Sequence, residues 1–218
     1  HAMGLKADGT LKTWGYDGGG TLDVPANVTN VIAMLCGEGC SFALNADNTV
    51  TAWGDGYYGE TDLPADLTNV IAIAGAWYHC LALKSNGTVV GWGNNSYGQT
   101  NVPPDLANVV AVAAGYGFSL ALKADGTPVA WGFYYDGQTN VPPDLTNVVA
   151  VAAGISHAAA LKADGTVEVW GSNSHGERNV PADLTNVVML SAGGHHTLAL
   201  KSDGSVVGWG DTGNGYGE

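Results

Sequence analysis

"HTLALKSDGSVVGWG" (residues 196–210) alternates apolar with small or polar side chains, turns on Asp203-Gly204 and ends on Trp-Gly. The same phrase stands at residues 1–15 as "HAMGLKADGTLKTWG". Trp14, Trp53, Trp92, Trp131, Trp170 and Trp209 follow one another at a constant spacing of 39 residues. Leu5, Leu44, Leu83, Leu122, Leu161 and Leu200 keep the same period. Such repetition outranks any local pattern, because each unit is then one supersecondary element that buries its apolar surface against its neighbours.

A second phrase, "TNVPPDLTNVVAVAAG" (139–154), recurs five times between the six copies of the first, marked by Pro25, Pro64, Pro103, Pro142 and Pro181. Each unit reads as three short strands. "VVAVAAG" (148–154) is small and apolar, which suits a strand buried on both faces. "HAAALKAD" (157–164) alternates, with Ala159 and Leu161 on one face. "TVEVWG" (166–171) carries β-branched residues and tryptophan. Asp-Gly or Asn-Gly separates the last two strands, a hairpin signal because its positions need positive φ, and Asp47-Asn48 replaces Gly with the next most tolerant residue.

Prolines, glycines and β-branched runs interrupt every helical window. Roughly forty residues per antiparallel sheet, repeated about an axis, implies a β-propeller. The fold predicted is all-β: six 39-residue repeats making three-stranded antiparallel blades, in one propeller domain over residues 1–218. A straight β-solenoid is the runner-up, although its coils are usually shorter and need no hairpin. Six closed units would need 16 residues more than the 218 present, so the first blade starts at its second strand and ring closure is incomplete within the chain. A seven-bladed ring completed by residues outside this chain is the alternative.

Twenty Asp and Glu against seven Lys and Arg give a formal net charge of −13, which repels phosphate backbones and anionic membranes. Nucleic acid is therefore not expected as a partner. Membrane insertion is not expected either, since no apolar stretch approaches the roughly 18 residues that span a bilayer. No signal peptide is visible, because His1 already lies inside a repeat, which leaves room for a leader or further module before it. Cys36, Cys40 and Cys80 match neither a zinc ribbon nor a disulfide framework. Small buried or half-buried thiols are expected, with a Cys36–Cys40 bond as the alternative.

In an antiparallel meander successive turns lie at opposite ends, so the loops after the first and third strands share one rim. All nine tyrosines fall in those loops, including Tyr16 and Tyr216, and Trp77 is the one tryptophan off the 39-residue register. The opposite rim carries balanced Lys and Asp at the hairpins. Acidic residues accompany the aromatic rim: Asp17, Glu38, Asp55, Glu60, Asp136, Glu177, Asp211 and Glu218, with Arg178 nearby. Residues that plug a propeller mouth should repeat in phase, whereas these aromatics change phase between units. Tyr57, Tyr58, Trp77, Tyr78, Tyr97, Tyr116, Phe118, Phe133, Tyr134, Tyr135, His175 and His195 are thus the candidate partner-binding residues.

His1, His79, His157 and His196 occupy one phase, with Cys40 and Phe118 in the other two units. Equivalent positions on different blades are too far apart for zinc bonds of about 2 Å, so structural hydrogen bonds are expected, with no metal and no cofactor. No nucleophilic triad, HExxH or P-loop stands apart from the repeat, and no catalytic residue is expected. "NGT" (86–88) and "NNS" (94–96) fit the glycosylation pattern, which is too short to carry weight.

The run "VVAVAAGYGFSLALKADGTPVAWGFYYDGQTNVPPDL" (109–145) resembles the repeats of the regulator of chromosome condensation superfamily. It is most similar to the short-blade bacterial branch that includes β-lactamase inhibitor protein type II. The resemblance covers essentially the whole chain and implies three-stranded blades without catalytic apparatus, gripping a target through aromatic rim loops. Both the inhibitor and the eukaryotic family member are similar to seven-bladed rings, whereas six units are present here. The expected function is a non-catalytic protein-binding module, inhibitor-like or adhesin-like, secreted or at a bacterial cell surface, for a protein partner with a basic surface. A carbohydrate-binding propeller, with Asn94, Asn95, Asn173 and Asp136 meeting sugar hydroxyls, is one alternative. A structural subunit that self-associates through its incomplete blade is the other.

Overall fold

Six antiparallel sheets follow one another along the chain in a computed structural model that describes residues 1–211. The first has two strands, β1 (Ala2–Leu5) and β2 (Leu11–Trp14). Five three-stranded sheets succeed it: β3 (Val31–Cys36), β4 (Cys40–Asn45) and β5 (Val50–Gly54); β6 (Val70–Ala76), β7 (His79–Lys84) and β8 (Val89–Gly93); β9 (Val109–Ala114), β10 (Phe118–Lys123) and β11 (Pro128–Gly132); β12 (Val148–Ala153), β13 (His157–Lys162) and β14 (Val167–Gly171); and β15 (Val187–Ala192), β16 (His196–Lys201) and β17 (Val206–Gly210). Each three-stranded sheet is a plain meander with its second strand in the middle. The inner strands β3, β6, β9, β12 and β15 pack beside one another, giving the propeller expected from the repeat.

The core lies between sheets. Phe118, Leu120 and Leu122 of β10 meet Ala158, Ala160 and Trp170 of the following sheet, while Ala159 and Leu161 of β13 meet Ala199 and Trp209 of the next. Within each middle strand, then, the side chains in phase with its leucine face the next blade and the alternate ones, such as Ala158 and Ala160, face the preceding blade. Alternation in the middle strand therefore selects which neighbour a side chain touches: Ala159 and Leu161 share one face, as "HAAALKAD" led one to expect, and both faces are buried. The inner strand departs the other way. Ile32, Ile71, Val110, Val149 and Val188 are exposed, because this edge strand has no neighbour in its own sheet on the axial side.

Each in-register tryptophan after the first fills the gap to the preceding blade and donates its indole N–H to the connecting segment. Trp53 bonds the Thr21 carbonyl, Trp92 that of Glu60, Trp131 that of Gln99, Trp170 that of Gln138 and Trp209 that of Glu177, at 2.7–3.0 Å. Trp14 has no preceding sheet and is 51% exposed. Leu198 and Val206 are exposed in the last sheet. Among the described residues no closely packed pair of strands joins that sheet to the first.

The hairpins use positive φ at one position only. Gly9, Gly87, Gly126, Gly165 and Gly204 have φ of 78–85°, and Asn48 has 65°. The Asp or Asn before each of these is not left-handed. Its carboxylate or amide oxygen instead accepts the N–H of the following Thr or Ser, as Asp164 does from Thr166 at 3.0 Å. The expected tolerance of Asn48 for positive φ is met, and only one position of each turn calls for a left-handed residue.

Candidate functional site

The loops after the first and third strands do share a rim, and the backbone ties them together. Asp55 N–H donates to Gly39 O, Asn94 to Tyr78 O, Phe133 to Gly117 O, Ser172 to Ser156 O and Asp211 to His195 O, at 2.6–2.9 Å. Gly54 makes this approach possible: with φ of 99°, a Cβ there would stand 2.6 Å from the Gly39 carbonyl oxygen. Beneath the first four of these joints, a Gln or Glu side chain accepts a loop N–H. Glu60 takes that of Tyr58, Gln99 that of Tyr97, Gln138 that of Asp136 and Glu177 that of His175, at 2.8–3.0 Å.

On this scaffold the aromatics form two groups. Tyr57 packs edge-on to Tyr58 at 4.8 Å, Tyr58 lies 4.7 Å from Tyr78, and Trp77 and Tyr116 meet at 90° with centroids 5.6 Å apart. Tyr78 bridges the two pairs. Partial burial, then the Glu38 carboxylate that accepts its hydroxyl, holds the Tyr78 phenol above its usual range. The second group is Tyr97, Phe133, Tyr135 and Tyr134, in contact at 4.7–5.2 Å. A small hollow of about 200 Å³ lined by Tyr58, Trp77, Tyr97 and Tyr116 lies between them. Tyr57, Tyr134 and Tyr135 are 61–82% exposed, and Trp77, Tyr58 and Tyr97 are 41–48% exposed. Side chains that occupy different phases of the repeat are thus brought together in space.

Inward of the aromatics, the ends of five inner strands surround a cavity of about 710 Å³, with Cys36, Glu38, Trp77, Tyr116, Ile155 and His195 on its wall. This is the mouth of the propeller axis. Cys36 is an exposed free thiol on that wall. Cys40 and Cys80 are buried free thiols, Cys40 pushed up to about 12 by burial and then by the nearby Glu60 charge.

Two expectations are corrected. Phe118 is no rim contact: it is fully buried, because it starts β10 and faces the next sheet with Leu120. Glu60 and Glu177 are buried beneath the rim, where they accept loop N–H groups, and so add no exposed charge to it. The amides named for sugar hydroxyls also bond within their own loops: Asn94 Oδ1 accepts from Ser96 and Gln99, Asn95 bonds Thr100 and Asn101, and Asn173 bonds Arg178 and Asn179. Tyr216 and Glu218 lie outside the described residues.

His175 and His195 reach the rim as expected, but they come with a partner that was not foreseen. Their rings lie 4.1 Å apart, and each Nδ1 stands 3.4 Å from Oε1 of Glu177, whose side chain is 1% exposed. Burial pushes the Glu177 carboxyl up. The N–H groups of Glu177 and His175, the His175 ring and the charge of His157 outweigh it and hold the carboxyl below its ordinary value. The visible signal was the exchange of Gln at 99 and 138 for Glu at 177, with His two residues before it.

The family described as the regulator of chromosome condensation (RCC1) repeat matches residues 70–99, 148–177 and 187–218. No curated protein matches the chain by sequence. Among solved structures, the ectodomain of the Physcomitrella patens receptor kinase CR4 is similar with a TM-score of 0.83 and 22% identity over 95% of this chain and 60% of that one. Yeast RCC1 (Prp20), in a structure with Kap60 bound, gives 0.78 and 21% over 95% of this chain and 67% of that one. Prp20p from Saccharomyces cerevisiae, in a structure reported with its binding properties to Gsp1p and histones, gives 0.70 and 23% over 83% and 58%. This chain therefore spans about three fifths of the CR4 ectodomain and of Prp20p as matched there. The repeat match makes the chain similar to the RCC1 repeat family over those three segments, and the solved structures show a likeness of fold.

Proposed function

We propose that the chain is a non-catalytic protein-binding module that grips its partner with the aromatic rim around the propeller mouth. The observation that carries this is the exposure of Trp77, Tyr57, Tyr58, Tyr97, Tyr134 and Tyr135 in contiguous clusters held by rigid, backbone-tied loops. Such rings offer large contact area at small entropic cost, and as interface anchors they contribute about 2 kcal/mol or more each. Their exposure in the free chain costs solvation that a partner would recover.

Asp17, Glu38, Asp55 and Asp136 accompany the rings and would speed encounter with a basic surface. The proposal extends to an inhibitor-like or adhesin-like role at a bacterial surface or outside the cell, in keeping with the short-blade branch the repeats resemble. Yeast Prp20, similar in fold, is described with Kap60 bound and by its binding to Gsp1p and histones. A protein partner is therefore the class to test first.

The experiment is partner capture by immobilised chain, wild type against a variant with Trp77, Tyr78, Tyr134 and Tyr135 changed to alanine. Loss of capture at unchanged melting temperature supports the proposal. A matching fall in melting temperature would instead make these rings part of the packing, and specific binding on a glycan array without protein capture would replace a protein ligand by a sugar.

A further inference from the structure

We infer that His175, Glu177 and His195 form a binding site for one divalent transition-metal ion of the zinc class, open to solvent on the rim. The three donor atoms lie within 4.8 Å of one another, and the two edges from Glu177 Oε1 are both 3.4 Å. A tetrahedral ion with bonds of about 2.0–2.1 Å places neighbouring ligand atoms about 3.3–3.4 Å apart. Two imidazoles and a carboxylate are a donor set suited to such ions.

The arrangement is poorly explained without a cation. Glu177 Oε1 is buried and makes no hydrogen bond, and His195 Nδ1 likewise has none. At 3.4 Å the contacts exceed the roughly 2.7–2.9 Å of a charge-assisted hydrogen bond. A divalent ion at the centre satisfies all three atoms at once.

The protein holds this set firmly. Glu177 Oε2 accepts the His175 N–H at 2.8 Å, its main-chain carbonyl accepts the Trp209 indole, and the His195 carbonyl accepts the Asp211 N–H. In the equivalent position Gln99 and Gln138 make the same loop bond without a charge, while Glu60 makes it as an acid with no histidine two residues before it. The acid at 177 is thus not required by the loop. His175 and His195 remain partly exposed, which leaves the fourth position of the ion facing water or a donor from outside.

Zinc alone, and cobalt(II) as its spectroscopic substitute, test the site on the full chain by calorimetry and visible absorption. One ion per chain is expected, with the intense absorption of four-coordinate cobalt. Glu177→Gln keeps the loop bond and should weaken binding at least about tenfold, and His175→Ala with His195→Ala should abolish it. Circular dichroism of the metal-free variants should match wild type. No stoichiometric binding by wild type, or binding unchanged in the folded variants, overturns the inference. Neither outcome touches capture of a protein by the aromatic rim, which is read separately.

Discussion

His79 Nε2 lies 3.0 Å from Ser119 Oγ across the boundary between two consecutive sheets. The Ser119 hydroxyl donates to the Gln99 carbonyl at 2.7 Å, so it accepts from the histidine, whose ring is neutral with its proton on Nε2. His157 meets Thr197 at 2.9 Å and His1 meets Ser41 at 2.9 Å in the same way, each 40 residues ahead. Where the histidine is replaced by Cys40 or Phe118, the residue 40 ahead is Cys80 or Ala158, and the hydroxyl is gone too. The repeated histidine is a strap between blades.

That strap makes the fold sensitive to acid. Burial holds the His79 ring down to about 4, against an ordinary 6.5. Below 6.5 the unfolded chain takes up a proton that the folded ring refuses, so stability is full above that pH and falls through the window down to about 4. The loss is about 3 kcal/mol for this ring. Urea denaturation at several pH values should show the decline, and His79→Gln should reduce it over the same window, with the buried His157, also held down to about 4, supplying a like share. An unchanged slope in the variant would show that the ring is not responsible.

Tryptophans of identical sequence context should differ in worth. Trp131 is buried between sheets and bonded to Gln99, whereas Trp14 is half exposed with no sheet before it. Trp131→Ala should cost roughly 3–5 kcal/mol and Trp14→Ala under about 1 kcal/mol, as read by chemical denaturation. Equal costs would mean that another surface covers Trp14.

Phe118 and Tyr134 separate packing from rim. Phe118→Ala should destabilise by roughly 3–5 kcal/mol, since it empties a closed contact with Ala158 and Trp170. Tyr134→Ala should change stability by less than about 0.5 kcal/mol and act only on partner capture. Thermal melts beside capture measurements distinguish the two.

Much of the architecture was legible because it rests on short-range rules. The 39-residue period, the Asp-Gly turns and the apolar runs each act within one unit, so they name strands, hairpins and blades without knowledge of neighbours. The common rim followed as well, since a meander puts alternate turns at the same end. Phe118 was misplaced because it holds the phase of His79 and His157, and that phase faces the next sheet rather than the loop.

From the chain alone came the repeat, the strand order, the missing first strand and the end at which the odd aromatics gather, all consequences of local turn chemistry and period-2 alternation. Only the tertiary structure decided which aromatics touch, which acids are buried, and that His175, Glu177 and His195 converge. Those contacts join residues from different loops and different phases. Their distances depend on how one sheet is rotated and packed against the next, which no pattern within a single unit encodes.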